Sequence, residues 1–137
     1  MRLLDHVSIT VRDLSRARAF YEAIFSALGA IKAYDRPDAV GYGERNRPGD
    51  DGHTYLSIYE SAGSSADARR HWCFRAPSAA AVRAFHAAGL AAGGADAGAP
   101  GLRPHYHPAY YAAFLTDPEG NRFELWEPAP EAMRRPD

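Results

Sequence analysis

Two histidines and one glutamate open the chemical question posed by this chain: His6, His71 and Glu124. Neutral imidazole and carboxylate suit first-row divalent ions. A set of two His and one Glu leaves coordination positions open for a substrate that chelates through two oxygens. Each residue also has a plainer use, since a histidine that opens a strand can bond nearby backbone and a glutamate near a sheet end can be solvated. Position raises the three above that use. His71 stands 65 residues after His6, and the same shift carries Asp13 onto Ser78 and Arg18-Ala19-Phe20 onto Arg83-Ala84-Phe85. A leading histidine, a helix cap and a tripeptide recurring in one register read as a tandem duplication.

The elements that must position these residues follow from local pattern. From His6 to Arg12, Val7, Ile9 and Val11 alternate with His6, Ser8 and Thr10, which predicts a half-buried strand. Asp13 caps a helix in which Leu14, Ala17, Phe20, Tyr21, Ile24 and Leu28 recur at helical spacing, with Gly29 as its stop. Strand-like runs follow at Ala30 to Asp35, Ala39 to Glu44 and Thr54 to Glu60, separated by Arg36-Pro37-Asp38 and a polar loop from Asn46 to Gly52. The first half therefore reads βαβββ. Ser61 to Ala66 has linker composition, after which the pattern restarts: a strand from His71 to Arg75, and a helix capped by Ser78, carrying Val82 and Phe85 and stopped at Gly89. The second half continues through a Gly, Ala and Pro rich stretch from Ala91 to Pro104, and eight strands in two quartets are expected in all. Strands are predicted from about Tyr110 to Thr116 and from Asn121 to Glu127, joined by the turn Asp117-Pro118-Glu119-Gly120. The expected fold is α+β: two tandem βαβββ modules, about 1–61 and 69–128, forming a curled mixed sheet around a cleft within a single domain spanning 1–137, with a mobile C-terminal tail.

If the apolar face of each strand is covered by helix, the opposite face lines the cleft. That assigns inward positions to Ser8 beside His6, to Tyr55, Ser57 and Tyr59, to Cys73 and Arg75 beside His71, and to Arg122 and Trp126 beside Glu124. The segment Arg103-Pro104-His105-Tyr106-His107-Pro108-Ala109-Tyr110-Tyr111 lies ahead of the last hairpin and reads as a specificity loop, in which His107 is a candidate acid or base beside an aromatic clamp. Net charge of −1, with no basic run, removes nucleic acid and anionic membrane as expected partners. No stretch is long enough to cross a bilayer, and the single cysteine, Cys73, allows no internal disulfide. A cytoplasmic protein with a small-molecule substrate is expected.

The stretch Tyr110-Tyr111-Ala112-Ala113-Phe114-Leu115-Thr116-Asp117-Pro118-Glu119-Gly120-Asn121-Arg122-Phe123-Glu124-Leu125, taken with His6 to Gly29 and His71 to Gly89, resembles the vicinal-oxygen-chelate superfamily of glyoxalases, bleomycin-resistance proteins and extradiol dioxygenases. The resemblance implies a divalent metal (Fe, Mn, Ni or Zn) at His6, His71 and Glu124, lyase, isomerase or dioxygenase chemistry on a small oxygenated or aromatic substrate, and a homodimer. It also places Ser57 where a fourth ligand stands in glyoxalase I, and serine cannot serve there as carboxylate ligand and base. Glu44 is the nearest substitute for a base if it projects inward; otherwise it is a solvated strand end. Phe114 stands where extradiol and fosfomycin-resistance enzymes carry a tyrosine, and its ring packs substrate without donating a proton. Candidate substrate contacts are therefore Ser8, Ser57, Tyr59, Arg103, Tyr110, Phe114, Arg122 and Trp126. The rival expectation is a metal-free sequestration protein of the bleomycin-resistance type, gripping a flat ligand between aromatics.

Overall fold

The computed structural model describes residues 3–49 and 52–128; the expected mobile tail from residue 129 onward lies outside them. Element order repeats the duplicated pattern: β1 (His6–Val11), α1 (Leu14–Leu28), β2 (Lys32–Arg36), β3 (Ala39–Gly43), β4 (Tyr55–Glu60), then β5 (His71–Arg75), α2 (Ala79–Ala91), β6 (Ala95–Leu102), β7 (Tyr111–Thr116) and β8 (Arg122–Glu127). The strands form two four-stranded mixed sheets ordered β1-β4-β3-β2 and β5-β8-β7-β6. In each, the first strand of the module runs parallel to its last and the remaining pairs are antiparallel. Both helices start where their caps predict: Asp13 accepts from the Arg16 N–H at 3.1 Å, and Ser78 from the Ala81 N–H at 3.1 Å. Gly29, at φ +85°, closes α1 in the left-handed conformation that glycine adopts at least cost.

The second module departs from the local pattern in two places. Gly89 does not stop α2; it is buried inside the helix, which runs on to Ala91. The reason is a close approach, since a Cβ at Gly89 would sit 2.3 Å from Leu115 Cδ1 of β7. The Gly/Ala/Pro-rich stretch then forms β6, a strand whose pairing with β7 is irregular on both sides of Gly98. Its composition hides it because small residues carry no period-two signal.

Aromatic side chains of α1 reach the apolar faces of both sheets. Phe25 stacks on Tyr42 of β3 with ring centroids 4.5 Å apart, while Phe25 and Tyr21 meet Phe74 of β5 and Phe123 of β8 at 5.3 and 5.6 Å. Helix α2 packs on α1 and on β6, β7 and β8. A single apolar cluster results, joining Ile9, Val11, Val40, Leu56 and Ile58 of the first sheet to Leu115, Phe123 and Leu125 of the second. Each polar face accordingly lies on the side of its sheet turned away from that core.

The Asp-Pro-Glu-Gly turn locks the modules together. Asp117 is buried and accepts from the Tyr21 hydroxyl of α1 at 2.5 Å, from the Glu119 and Asn121 N–H groups at 2.9 and 2.8 Å, and from Asn121 Nδ2 at 2.8 Å. Glu119 accepts from the Arg12 and Asp13 N–H groups at 2.7 and 2.9 Å, supplying acceptors at the β1–α1 junction. The turn is thus both a local hairpin and a clamp across the duplication.

Candidate active site

The second sheet gathers most of the predicted chemistry. Strand register places Cys73 beside Glu124 and His71 beside Arg122 on β5 and β8, and Phe114 opposite Glu124 on β7, all on one face. His71 Nε2 lies 3.4 Å from Glu124 Oε1; the histidine is half exposed, whereas the Glu124 side chain is only 6% exposed. The other carboxylate oxygen, Oε2, accepts a hydrogen bond from the Tyr110 hydroxyl. Tyr110 in turn lies parallel to Trp126 with centroids 4.7 Å apart, and His107 meets the edges of both rings. The carboxylate therefore sits at the base of an aromatic wall with one oxygen anchored and the other facing an imidazole.

This environment shapes the neighbouring acids. Desolvation of the sulfur, and then the Glu124 carboxylate, push the thiol of the exposed Cys73 up to about 12, which favours its neutral form. Burial and the same carboxylate hold the Tyr110 phenol well above its ordinary range, which keeps it a proton donor to Glu124. His107 Nδ1 accepts from the Ala109 N–H at 3.1 Å. The neutral ring then carries its proton on Nε2, a donor toward anything bound against the wall.

The first sheet carries its own polar face. His6 Nδ1 bonds Asp5 Oδ1 at 2.7 Å, and Asp5 also accepts from Asn46 Nδ2; the His6 bond first and the Asn46 bond second hold the Asp5 carboxyl below its usual value. The Asp5 carboxylate accepts from Nδ1, leaving Nε2 as the nitrogen that could bind an ion, an arrangement typical of metal-binding histidines. The His6 ring stacks on Tyr55 at 4.8 Å. Ser57 is buried and accepts from the Tyr34 hydroxyl of β2 at 2.6 Å. Tyr34 can lean there because its partner on β3 is Gly41, where a Cβ would meet the Tyr34 ring at 2.3 Å. Sequence reasoning passed over Tyr34; the glycine opposite it, between Val40 and Tyr42, was the available signal. Ser8 and Tyr59 are exposed on the same face, while Thr10 is tied to Ser64 of the linker at 2.9 Å.

Glu44 does not join either group. The β3 residues registered against Tyr55, Ser57 and Tyr59 are Gly43, Gly41 and Ala39, and Gly43, at φ +106°, ends the alternation before Glu44. The Glu44 carboxylate instead pairs with His53 Nε2 at 2.9 Å in a surface groove lined by Gly29, Ala30 and Ile31. Nor does one chain bring His6 to His71 and Glu124. Among the described residues no three His, Cys, Asp or Glu side chains converge as a metal cage would require.

A family model described as the Glyoxalase/Bleomycin resistance protein/Dioxygenase superfamily matches residues 3–125. The chain belongs to that superfamily. Among solved structures, a glyoxalase/bleomycin resistance protein from Albidiferax ferrireducens T118 is 28% identical with a TM-score of 0.74, covering 90% of this chain and 97% of its own. A lactoylglutathione lyase from Agrobacterium tumefaciens (22% identity, TM-score 0.60, covering 92% and 93%) shares the glyoxalase-superfamily fold. So does a fosfomycin resistance protein from Mesorhizobium loti, at 19% identity and TM-score 0.60, covering 93% and 92%. Among curated proteins none matches the chain. No helix among the described residues is long and apolar enough to cross a membrane.

Proposed function

We propose that this superfamily member is a metal-dependent enzyme acting on a small oxygenated or aromatic substrate, with His6, His71 and Glu124 holding a divalent ion. The observation that carries this reading is the buried Glu124, anchored through Oε2 by Tyr110 and offering Oε1 beside His71 Nε2. A ligand carboxylate held from behind by a hydrogen bond and a histidine on the adjacent strand form two thirds of a chelate. His6 has the matching preparation on the other module, its Nδ1 committed to Asp5. A bound ion there would supply Lewis-acid polarisation of substrate oxygens, or oxygen chemistry if it is iron. Around it, the Tyr110 and Trp126 rings stack a flat substrate, and His107 Nε2–H donates to an oxygen that gains charge. Lyase, isomerase and dioxygenase outcomes all start from this arrangement.

The third ligand comes from a second copy of the chain in this reading, His6 of one protomer closing on His71 and Glu124 of its partner in a homodimer. Metal analysis of the purified protein, of His6→Ala, of Glu124→Ala and of a refolded equal mixture of the two variants tests it. Each variant alone should hold no metal, since loss of one ligand of three opens the chelate. In the mixture half the dimers are mixed and each regains one site, so about a quarter of the wild-type metal should return. A mixture as empty as its parents refutes the shared site. No metal in the wild type after reconstitution refutes the enzyme reading and leaves sequestration of a flat ligand between the aromatics.

A further inference from the structure

Beside Glu124, the same face carries two arginines: Arg103 is held within the fold, its charge acting on the Asp96 carboxylate, whereas Arg122 has no such acceptor. Arg122 opens β8 next to His71, and its guanidinium lies over the Phe114 ring at 5.0 Å. Its Nε is fully buried and has no hydrogen-bond partner; among the described residues the only other buried side-chain nitrogen or oxygen so left is Trp72 Nε1. Arg103 covers the same ring at 5.6 Å. Its own Nη1 and Nη2 donate to the Gly101 and Ala99 carbonyls at 2.7 Å each, and Gly98 and Gly101 leave the room it occupies, with would-be Cβ atoms 3.1 and 3.3 Å from its nitrogens. Among the described residues neither arginine is in a salt bridge. Glu124 does not neutralise them, because its oxygens are turned to Tyr110 and His71.

Leaving the buried Nε unmatched is expensive, and because that atom is sealed while the residue is partly exposed, an acceptor would meet the same guanidinium fork at its outer Nη groups. Stacking on Phe114 aligns that fork beside the His71 and Glu124 pair, with Arg103 fixed as a second cation on the same ring. We propose that the substrate carries an oxyanion, a carboxylate or a phosphonate, that seats on the Arg122 guanidinium while the rest of the molecule reaches toward Glu124. The inference rests on the reading of this face as the substrate site, but not on metal being bound there.

Calorimetric titration of the full chain, as purified and after chelation, with benzoate, phenylphosphonate and benzamide tests it. The three probes share a ring and differ in charge. At least one oxyanion should bind about tenfold or more tighter than benzamide, the ratio expected of a charge-assisted bidentate contact, and whichever binds tighter identifies the group. Arg122→Leu should erase that preference while leaving metal content unchanged. Should this variant fold poorly, salt titration of the wild type serves instead: added salt should weaken the oxyanion and spare benzamide. Equal binding of all three probes overturns the proposal, as does a preference that survives Arg122→Leu or added salt, or no saturable binding of any probe up to roughly 10 mM. An oxyanion preference in wild-type protein that takes up no metal on reconstitution would sink the metal reading alone.

Discussion

Tyr21→Phe isolates the bond that ties the first module's helix to the second module's turn. The Tyr21 hydroxyl is fully buried and donates to Asp117 Oδ2 at 2.5 Å, and burial followed by the Asp117 charge holds its phenol far above the ordinary range, so it remains a donor at every accessible pH. The substitution removes one hydrogen bond to a charged acceptor, worth about 1.5–3 kcal/mol. Asp117 keeps its three other donors, from Glu119 and Asn121, so the carboxylate is not stranded and the lower end applies: about 1.5–2 kcal/mol, or roughly 5–8 °C in Tm for a chain of this size. Asp117→Ala should cost more, about 3–5 kcal/mol, because all four donors lose their acceptor at once. The assay is urea unfolding followed by far-UV circular dichroism and by tryptophan fluorescence. Trp72 and Trp126 both lie in the second module, so a broken clamp could also separate the two transitions. A Tyr21→Phe change below about 0.5 kcal/mol would refute the view that this bond holds the modules together.

Three further outcomes follow from the site and the core. Gly89→Ala drives a methyl to within 2.3 Å of Leu115 Cδ1 and should destabilise by about 1–3 kcal/mol despite alanine's better helix propensity; a stabilised protein would show that the helix can back away from β7. Cys73 alkylation by iodoacetamide should be about a thousandfold slower at pH 8 than for a thiol at its ordinary value, because the charged thiolate is the form disfavoured by burial and Glu124. Its rate should still be rising beyond pH 10, and Glu124→Gln should accelerate it; a plateau near pH 9 would contradict the geometry. Tyr110→Phe frees Glu124 Oε2 and should weaken metal retention about 10–100-fold by competition with a chelator, with little change in fold by circular dichroism.

What the sequence disclosed and what it withheld divide along physical lines. The duplication was visible because His6, Asp13 and Arg18-Ala19-Phe20 recur in register, and both helix caps and the alternation of β1 and β5 follow from short-range rules, whereas Glu127 of β8 is a polar residue buried on the apolar face. The features that escaped depend on contacts distant in the chain. Gly89 reads as a helix stop until Leu115 is seen against it, β6 is built from residues too small to alternate, and Tyr34 reaches Ser57 only because Gly41 lies between them. The sequence marks Tyr110 as an aromatic substrate contact; its hydroxyl is the partner of Glu124 across the hairpin. Pattern identifies the side of a strand but not the identity of the neighbour.

The least legible feature is the relation of the two histidines, and the shared core accounts for it. Duplication placed His6 and His71 at equivalent points of equivalent strands, which suggests that they should meet. Yet Tyr21 and Phe25 of α1 pack on the second sheet as well as the first, so both apolar faces are spent on one interior and both polar faces are left outside it. Two histidines related in this way can share an ion only if another surface closes over each face. In the dimer proposed above, the exposed His6, its Nδ1 bonded to Asp5, and the pair of His71 and Glu124 would be the two halves of such a closure. A chain that folded its sheets polar face to polar face would need no second copy, but it would give up the contacts of Phe74 with Phe25 and of Phe123 with Tyr21 that knit the single core. The hydrophobic core thus decides where the chemistry can be assembled, and the mixing of His6→Ala with Glu124→Ala is the experiment in which that decision becomes measurable.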